Sequence, residues 1–184
     1  MHRHQPFLAA AAASLLMLLA ACNAPRLTEN EADLLRASAE VAIDDFEREI
    51  PDIRDRLDSA YAYAIFPRIS KGAAIVGGAR GSGLVYEQGE LIGNAVVAQT
   101  SIGAQLGGSA YREIILFADE RALERLTSGK LEFSARGSAV AGTAGGTGDI
   151  DYDDGVEVYA LAINGLLIDA SLGGQDFDFR PIDN

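Results

Sequence analysis

Apolar residues recur along this chain in two rhythms, and the change from one to the other marks its organisation. From Leu35 through Ala39, Ala42, Phe46 and Ile50 they fall on one helical face. Ahead of that stripe, Thr28-Glu29-Asn30-Glu31 fits a capping box, in which Thr28 and Glu31 satisfy each other's end of a helix start. Pro51 lacks the N–H and restricts Ile50 before it, so the helix should break there. A second short helix, Asp52 to about Ala60, continues the stripe through Ile53 and Leu57. The polar side of the stripe is acidic rather than rich in Lys and Arg. That favours packing on the domain's own core over lying on a membrane surface.

After Tyr61 the rhythm shortens. Tyr63–Ile69, Ala73–Ala79, Gly83–Glu87, Leu91–Gln99, Ser101–Gly107 and Glu113–Phe117 are rich in Val, Ile, Ala and aromatics, are punctuated by glycine, and read as strands. Gln88-Gly89 is a hairpin turn between two of them. Asp119 should cap a short helix through Leu126 that stops at Gly129. Strands resume at Leu131–Val140 and Val156–Ile163, and Asn164-Gly165 predicts a type I′ turn into Leu166–Leu172. The expected fold is α+β: N-terminal helices packed on a curved, largely antiparallel, barrel-like sheet with one short inserted helix. The many Gly and Ala strand positions point to close sheet-to-helix packing rather than a wide ligand cavity.

The N-terminal segment obeys neither rhythm. Met1-His2-Arg3-His4 is followed by an almost unbroken apolar run, Phe7 to Ala21, interrupted by Ser14. That run is shorter than the roughly 20 residues that span a bilayer core, and it matches the h-region of an export signal. It closes on Leu19-Ala20-Ala21-Cys22, which resembles the bacterial lipobox. Cys22, the chain's single cysteine, is thus the expected lipidation site, and a disulfide within the chain is excluded. The resulting division is a signal peptide at 1–22, a tether at 23–27 and a single domain at 28–184. The expected location is the cell envelope, with Asn23 favouring the outer membrane, facing the periplasm, in a Gram-negative host.

Cleavage changes the available chemistry. Removing residues 1–22 from the 184 leaves 162, enough for one domain with a real core. Both histidines, His2 and His4, depart with the leader, so Ser-His-Asp and Cys-His catalysis and the usual His/Cys zinc sites are excluded. The expectation is therefore a non-enzyme without cofactor or metal. The leader also removes Arg3 from the 15 basic residues while all 27 acids stay, leaving −13. So acidic a chain lacks the basic footprint of a nucleic-acid binder. The charge is uneven, however. Ser59 to Tyr86 contains no Asp or Glu but does contain Arg68, Lys71 and Arg80, the candidate head-group contacts of a lipid site.

Two glycine-rich runs invite a nucleotide reading. Gly142 to Gly148 lacks Walker spacing and its Lys-Ser/Thr ending, and Gly77 to Gly83 lacks the strand-to-helix setting of a dinucleotide site, so both read as tight turns. Asp149-Ile150-Asp151-Tyr152-Asp153-Asp154-Gly155 begins like a calcium loop. Its glycine comes one place late and Ala160 stands where the closing Glu belongs, so it reads as a solvated acidic turn.

A longer pattern is more specific. Ala64-Ile65-Phe66-Pro67-Arg68-Ile69-Ser70-Lys71-Gly72, followed by Val76-Gly77-Gly78-Ala79-Arg80-Gly81-Ser82-Gly83-Leu84-Val85, resembles the opening signature of the SYLF domain family. The similarity continues through Ser101 to Gly108, the Asp119–Gly129 helix, Gly165-Leu166-Leu167 and Ser171 to Gly174, covering about Ala32 to Phe179. This resemblance implies binding of membrane phospholipids, with anionic head groups as contacts. Actin, a partner in eukaryotic members, is not expected for an exported chain, and the sequence names no protein partner. The leading expectation is a membrane-anchored lipid-binding lipoprotein. The alternative is a structural or interaction lipoprotein of the envelope with no specific small ligand.

Overall fold

The computed structural model describes residues 27–71, 76–102, 109–131, 139–141, 154–163 and 175–182. Helix α1 spans Glu29–Glu49 and starts at the predicted box: the Thr28 hydroxyl and amide meet the Glu31 carboxylate at 2.7 and 2.8 Å. Its buried residues are Ala39, Ala42, Ile43 and Phe46, with Leu35 and Ile50 partly covered, so the predicted stripe is the packing face. Helix α2, Ile53–Ser59, follows the break at Pro51 and buries Ile53 and Leu57. Arg56 pins it to the sheet, donating to Tyr159 at 3.0 Å and to buried Glu157 at 3.3 Å.

The strands are β1 (Ala62–Lys71), β2 (Val76–Glu87), β3 (Glu90–Ile102), β4 (Ser109–Phe117), β5 (Ala139–Ala141), β6 (Val156–Ala162) and β7 (Gln175–Pro181). Helix α3, Glu120–Thr127, is the inserted one, and Asp119 caps it by accepting from the Ala122 amide at 2.8 Å. The strands form one sheet in the order β5-β6-β4-β1-β2-β3-β7, antiparallel except for the β5–β6 pair. The α+β expectation holds. The sheet is not closed, because β5 and β7 remain separate edges. It curls strongly all the same: Gln175 on β7 reaches Glu113 on β4 at 3.0 Å, four strand positions away, and Phe66 meets Phe177 with ring centroids 5.8 Å apart.

Two apolar cores lie on the sheet's two faces. One joins α1 and α2 to Ile65, Leu84, Ile114, Leu116 and Tyr159. The other fills the concave face with Phe66, Val85, Val97, Ile115, Phe117 and Phe177, closed by Leu123 and Leu126 of α3. Strand boundaries differ from the sequence reading. Of Ala73–Ala79, the described residues 76–79 belong with Gly83–Glu87 to one continuous β2, and β7 follows the last predicted strand. Gln88 and Gly89 both have positive φ, 50° and 83°, as a type I′ turn requires. Cys22, Gly142 to Gly148, Asp149 to Asp153, and the Asn164-Gly165 turn with Leu166–Leu172 lie outside the described residues.

Gly81 and Gly83 are mid-strand residues rather than turn residues, and the reason is a bulge. Between Ile65 and Arg68, β1 advances three residues while β2 retreats from Leu84 to Ser82, and the β4 side shows the same shift between Phe66 and Ile69. One extra residue is thereby inserted at Phe66-Pro67. A Cβ on Gly83 would sit 2.5 Å from the Ile65 carbonyl oxygen and 2.6 Å from the Phe66 ring. One on Gly81 would sit 2.6 Å from the Arg68 carbonyl oxygen. The bulged strand nests against β2 only because both side chains are missing. The glycines serve close packing as expected, but between strands rather than from sheet to helix.

Candidate functional site

The bulge decides where the first candidate cation points. Ahead of it Ala62, Ala64 and Phe66 join the concave core; after it Ile69 does, so Arg68 and Ser70 fall on the helix-covered face. Arg68 pairs in register with Ser82, and Ser70 with Arg80. Arg68 and Arg80 are therefore diagonal neighbours on adjacent strands, the separation at which long side chains share one surface. Both are exposed, and among the described residues neither forms an ion pair; Arg68 Nε donates to Ser70 Oγ at 3.3 Å. The structure brings these two together. Lys71 is opposite Ala79 and one step out of phase with them.

Beside this pair α1 and the sheet diverge and leave an open groove of about 540 Å³. Its helix wall includes Leu34, Leu35 and Val41; its sheet wall includes Pro67, Arg68, Ser82 and Arg112. Leu34 is 70% exposed and Val41 54%, so the helix presents a second apolar strip beside the buried one. Among the described residues no carboxylate lines the groove. Arg112, on β4, donates to the Pro67 carbonyl at 2.8 Å and forms an ion pair with Asp45 of α1, bracing the bulge and the helix at once. Burial alone would raise the Asp45 carboxyl, but hydrogen bonds and charge from Arg48 and Arg112 outweigh it and hold it below its ordinary value.

Of the other acids of α1, Asp33 pairs with Arg36, while Asp44 and Glu47 pair with Arg54. The charged side chains among the described residues of the groove's lining are Arg68 and Arg112. Sequence reasoning found Arg68 and Arg80 through the acid-free stretch but missed Leu34, Val41, Ser82 and Arg112. Leu34 and Val41 carried a signal, since both are apolar positions outside the core stripe.

A second polar cluster is internal. Gln175 Nε2 donates to Glu113 at 3.0 Å and to the Tyr111 hydroxyl at 3.1 Å, all buried on the concave side. Burial and the neighbouring Glu113 charge push the Tyr111 phenol well above its ordinary range. Among the described residues no group of three His, Cys, Asp or Glu is placed to hold a metal ion, and no helix is long and apolar enough to cross a membrane.

Comparison with known proteins finds two similarities. Residues 98–184 match the family described as Ysc84, Las17-binding protein actin regulator. The match runs from the end of β3 to the C-terminus, downstream of the bulge motif. The chain is also similar to Beta cell expansion factor A of Aeromonas veronii, at 23% identity over 164 residues. That alignment covers 83% of this chain but 59% of the relative, so the chain spans well under two thirds of that protein's length.

Proposed function

Because the chain belongs to the SYLF family, we propose that it is a non-catalytic lipid-binding module, tethered to a membrane through acylated Cys22. The head-group contacts in the groove are Arg68 and Arg80, with Lys71 one step out of phase at the end of the same strand, and the acyl or glycerol portion of the lipid rests on Leu34 and Val41. One observation carries this reading: an open groove that sets an exposed apolar helix flank against Arg68, with Arg80 its diagonal neighbour, and with no acid among the described residues of its lining. A phospholipid has that same division into anionic head and apolar remainder. Eukaryotic actin chemistry has no place in an exported chain, so lipid is the partner assigned.

The energetics are adequate. Each Lys or Arg near an anionic surface contributes about 1 kcal/mol, so Arg68 and Arg80 give about 2 kcal/mol, or roughly thirtyfold in affinity. The net negative charge opposes this, but charges beyond about 8 Å are largely screened at physiological salt. The tether is short: five residues, 23–27, extend at most about 3.5 Å each, so the groove at α1's first turns would stay close to the bilayer. Weak affinity then suffices, because the anchor raises effective concentration.

The test is co-sedimentation of residues 23–184 with vesicles of anionic phospholipid, and of zwitterionic phospholipid as control. Binding should need the anionic vesicles, fall as salt rises, and drop at least about thirtyfold in Arg68→Glu/Lys71→Glu/Arg80→Glu. If that triple variant binds like the parent, the groove is not the lipid site.

A further inference from the structure

We infer that a second, smaller hollow, on the opposite flank of α1, is a binding site for a small carboxylate with a short apolar tail. It lies between the start of α1 and the β2–β3–β7 ladder, and its volume is about 150 Å³. That is about five times the roughly 30 Å³ occupied by a water molecule in the liquid. It shares no lining residue with the groove above, so this inference stands apart from the lipid reading.

Asn94 is the reason. It sits mid-strand on β3, in register with Leu84 on one side and Arg180 on the other, and so faces α1 as Leu84 does. It is 9% exposed, lines the hollow, and its Nδ2 has no hydrogen-bond partner among the described residues. Buried amide donors in folded proteins are almost always paired, and leaving one unpaired is costly. A position that served packing alone would carry an apolar residue, as its neighbour Leu84 does. The amide donor makes sense if an acceptor occupies the hollow.

The rest of the lining specifies that acceptor. Arg36 of α1 and Arg180 of β7 line the same space, and among the described residues no carboxylate lines it. Arg36 contacts Asp33 at 2.9 Å and Arg180 contacts Asp178 at 3.3 Å. A guanidinium has five donors, so the single Asp33 contact leaves Arg36 donors for a ligand. The two guanidiniums carry donors only and Asn94 adds its Nδ2, so donors dominate the lining, which favours an anion with planar acceptor geometry. The remaining wall, including Leu84, Leu91 and Ile182, is apolar. An apolar wall penalises a multiply charged anion and rewards a hydrocarbon tail. Gly93 brings the arginine into place: a Cβ there would lie 2.6 Å from the Phe179 ring, so its absence lets β7 close on β3.

The test uses the full chain, purified in non-ionic detergent and labelled with ¹⁵N at asparagine side chains. The probes are sodium butyrate, n-butanol and inorganic phosphate. Butyrate should shift the Asn94 side-chain amide resonance, identified by its loss in Asn94→Leu, and the shift should saturate. Butanol and phosphate should leave that resonance in place. Asn94→Leu and Arg180→Gln should each weaken butyrate binding, followed by calorimetry, about tenfold or more, or 1.4 kcal/mol. Asn94→Leu should also melt no lower than the parent, because it removes an unpaired buried donor. Absence of a saturable butyrate shift in the parent would overturn the site, whatever the variants do. An equal response to butanol reduces it to an apolar cavity, and an equal response to phosphate overturns the carboxylate assignment.

Discussion

Phe46→Ala tests whether α1 is a wall of the domain or a helix that can leave it. Phe46 is 1% exposed and packs among Ile53, Leu57, Ile65, Leu84, Ile114 and Leu116, where both helices meet the sheet. Truncation removes the ring's transfer free energy and leaves a cavity, and the cavity cost depends on how far the surroundings collapse. Here they are held. The capping box fixes the helix start, and the Asp45–Arg112 pair ties its middle to β4. The loss should therefore lie towards the upper end of the usual range of about 3–5 kcal/mol. For a chain of this size each kcal/mol lowers the melting temperature by about 2–4 °C, so a fall of roughly 10–20 °C is expected. Calorimetry and urea unfolding followed by circular dichroism would measure it, with an unchanged m-value expected for a single cooperative unit. Val41→Ala is the control: at 54% exposure it should change stability by less than about 0.5 kcal/mol. If Phe46→Ala melts within two or three degrees of the parent (a shift of about 1 kcal/mol or less), the packing argument is wrong. It is equally wrong if helix signal is lost in a separate step before the sheet.

Further perturbations probe other parts of the argument. Gly83→Ala should destabilise by at least about 1–3 kcal/mol, because its Cβ would meet backbone at Ile65 as well as the Phe66 ring; a neutral result in thermal unfolding refutes the nested bulge. Asp45 has a folded pKa below its unfolded value, so its contribution is present above about pH 4 and is lost as pH falls through the folded value. Acid-induced loss of stability should accordingly be shallower in Asp45→Asn, and an unaltered acid limb would remove the Arg112 pair from the account. Cys22→Ser should abolish palmitate incorporation and membrane sedimentation in cells, and persistence of both would end the lipoprotein reading.

Legibility followed the range of the interactions. The Thr28–Glu31 box, the α1 stripe, the Gln88-Gly89 turn and the Asp119 cap could be read because each is satisfied within a few residues. Strand β7 was missed although Asp176-Phe177-Asp178-Phe179 alternates with the two-residue period; aspartate disfavours strands, and what stabilises this one is pairing with β3 some eighty residues earlier. Glu113 reads as a surface acid and proves fully buried, because its partner Gln175 lies 62 positions away. The candidate site was half legible for the same reason. Clustering of Arg68 and Arg80 in an acid-free stretch shows in the sequence. Their meeting with Arg112 and the flank of α1 is a product of sheet order.

The extra residue at Phe66-Pro67 acts as a change of phase in β1. Upstream of it the even-numbered residues face the concave interior; downstream the odd-numbered ones do. Deleting Pro67 would therefore restore plain alternation: Ile69 would come two places after Phe66 and keep the interior, and Arg68 and Ser70 would keep the helix-covered face. Swapping Pro67 for another residue keeps the count and so keeps the faces. Pairing β1 straight through with Pro67 retained would instead turn Arg68 and Ser70 into the apolar interior and Ile69 outwards. Along this strand the bulge, by absorbing one residue, determines whether the charge meets solvent or the core.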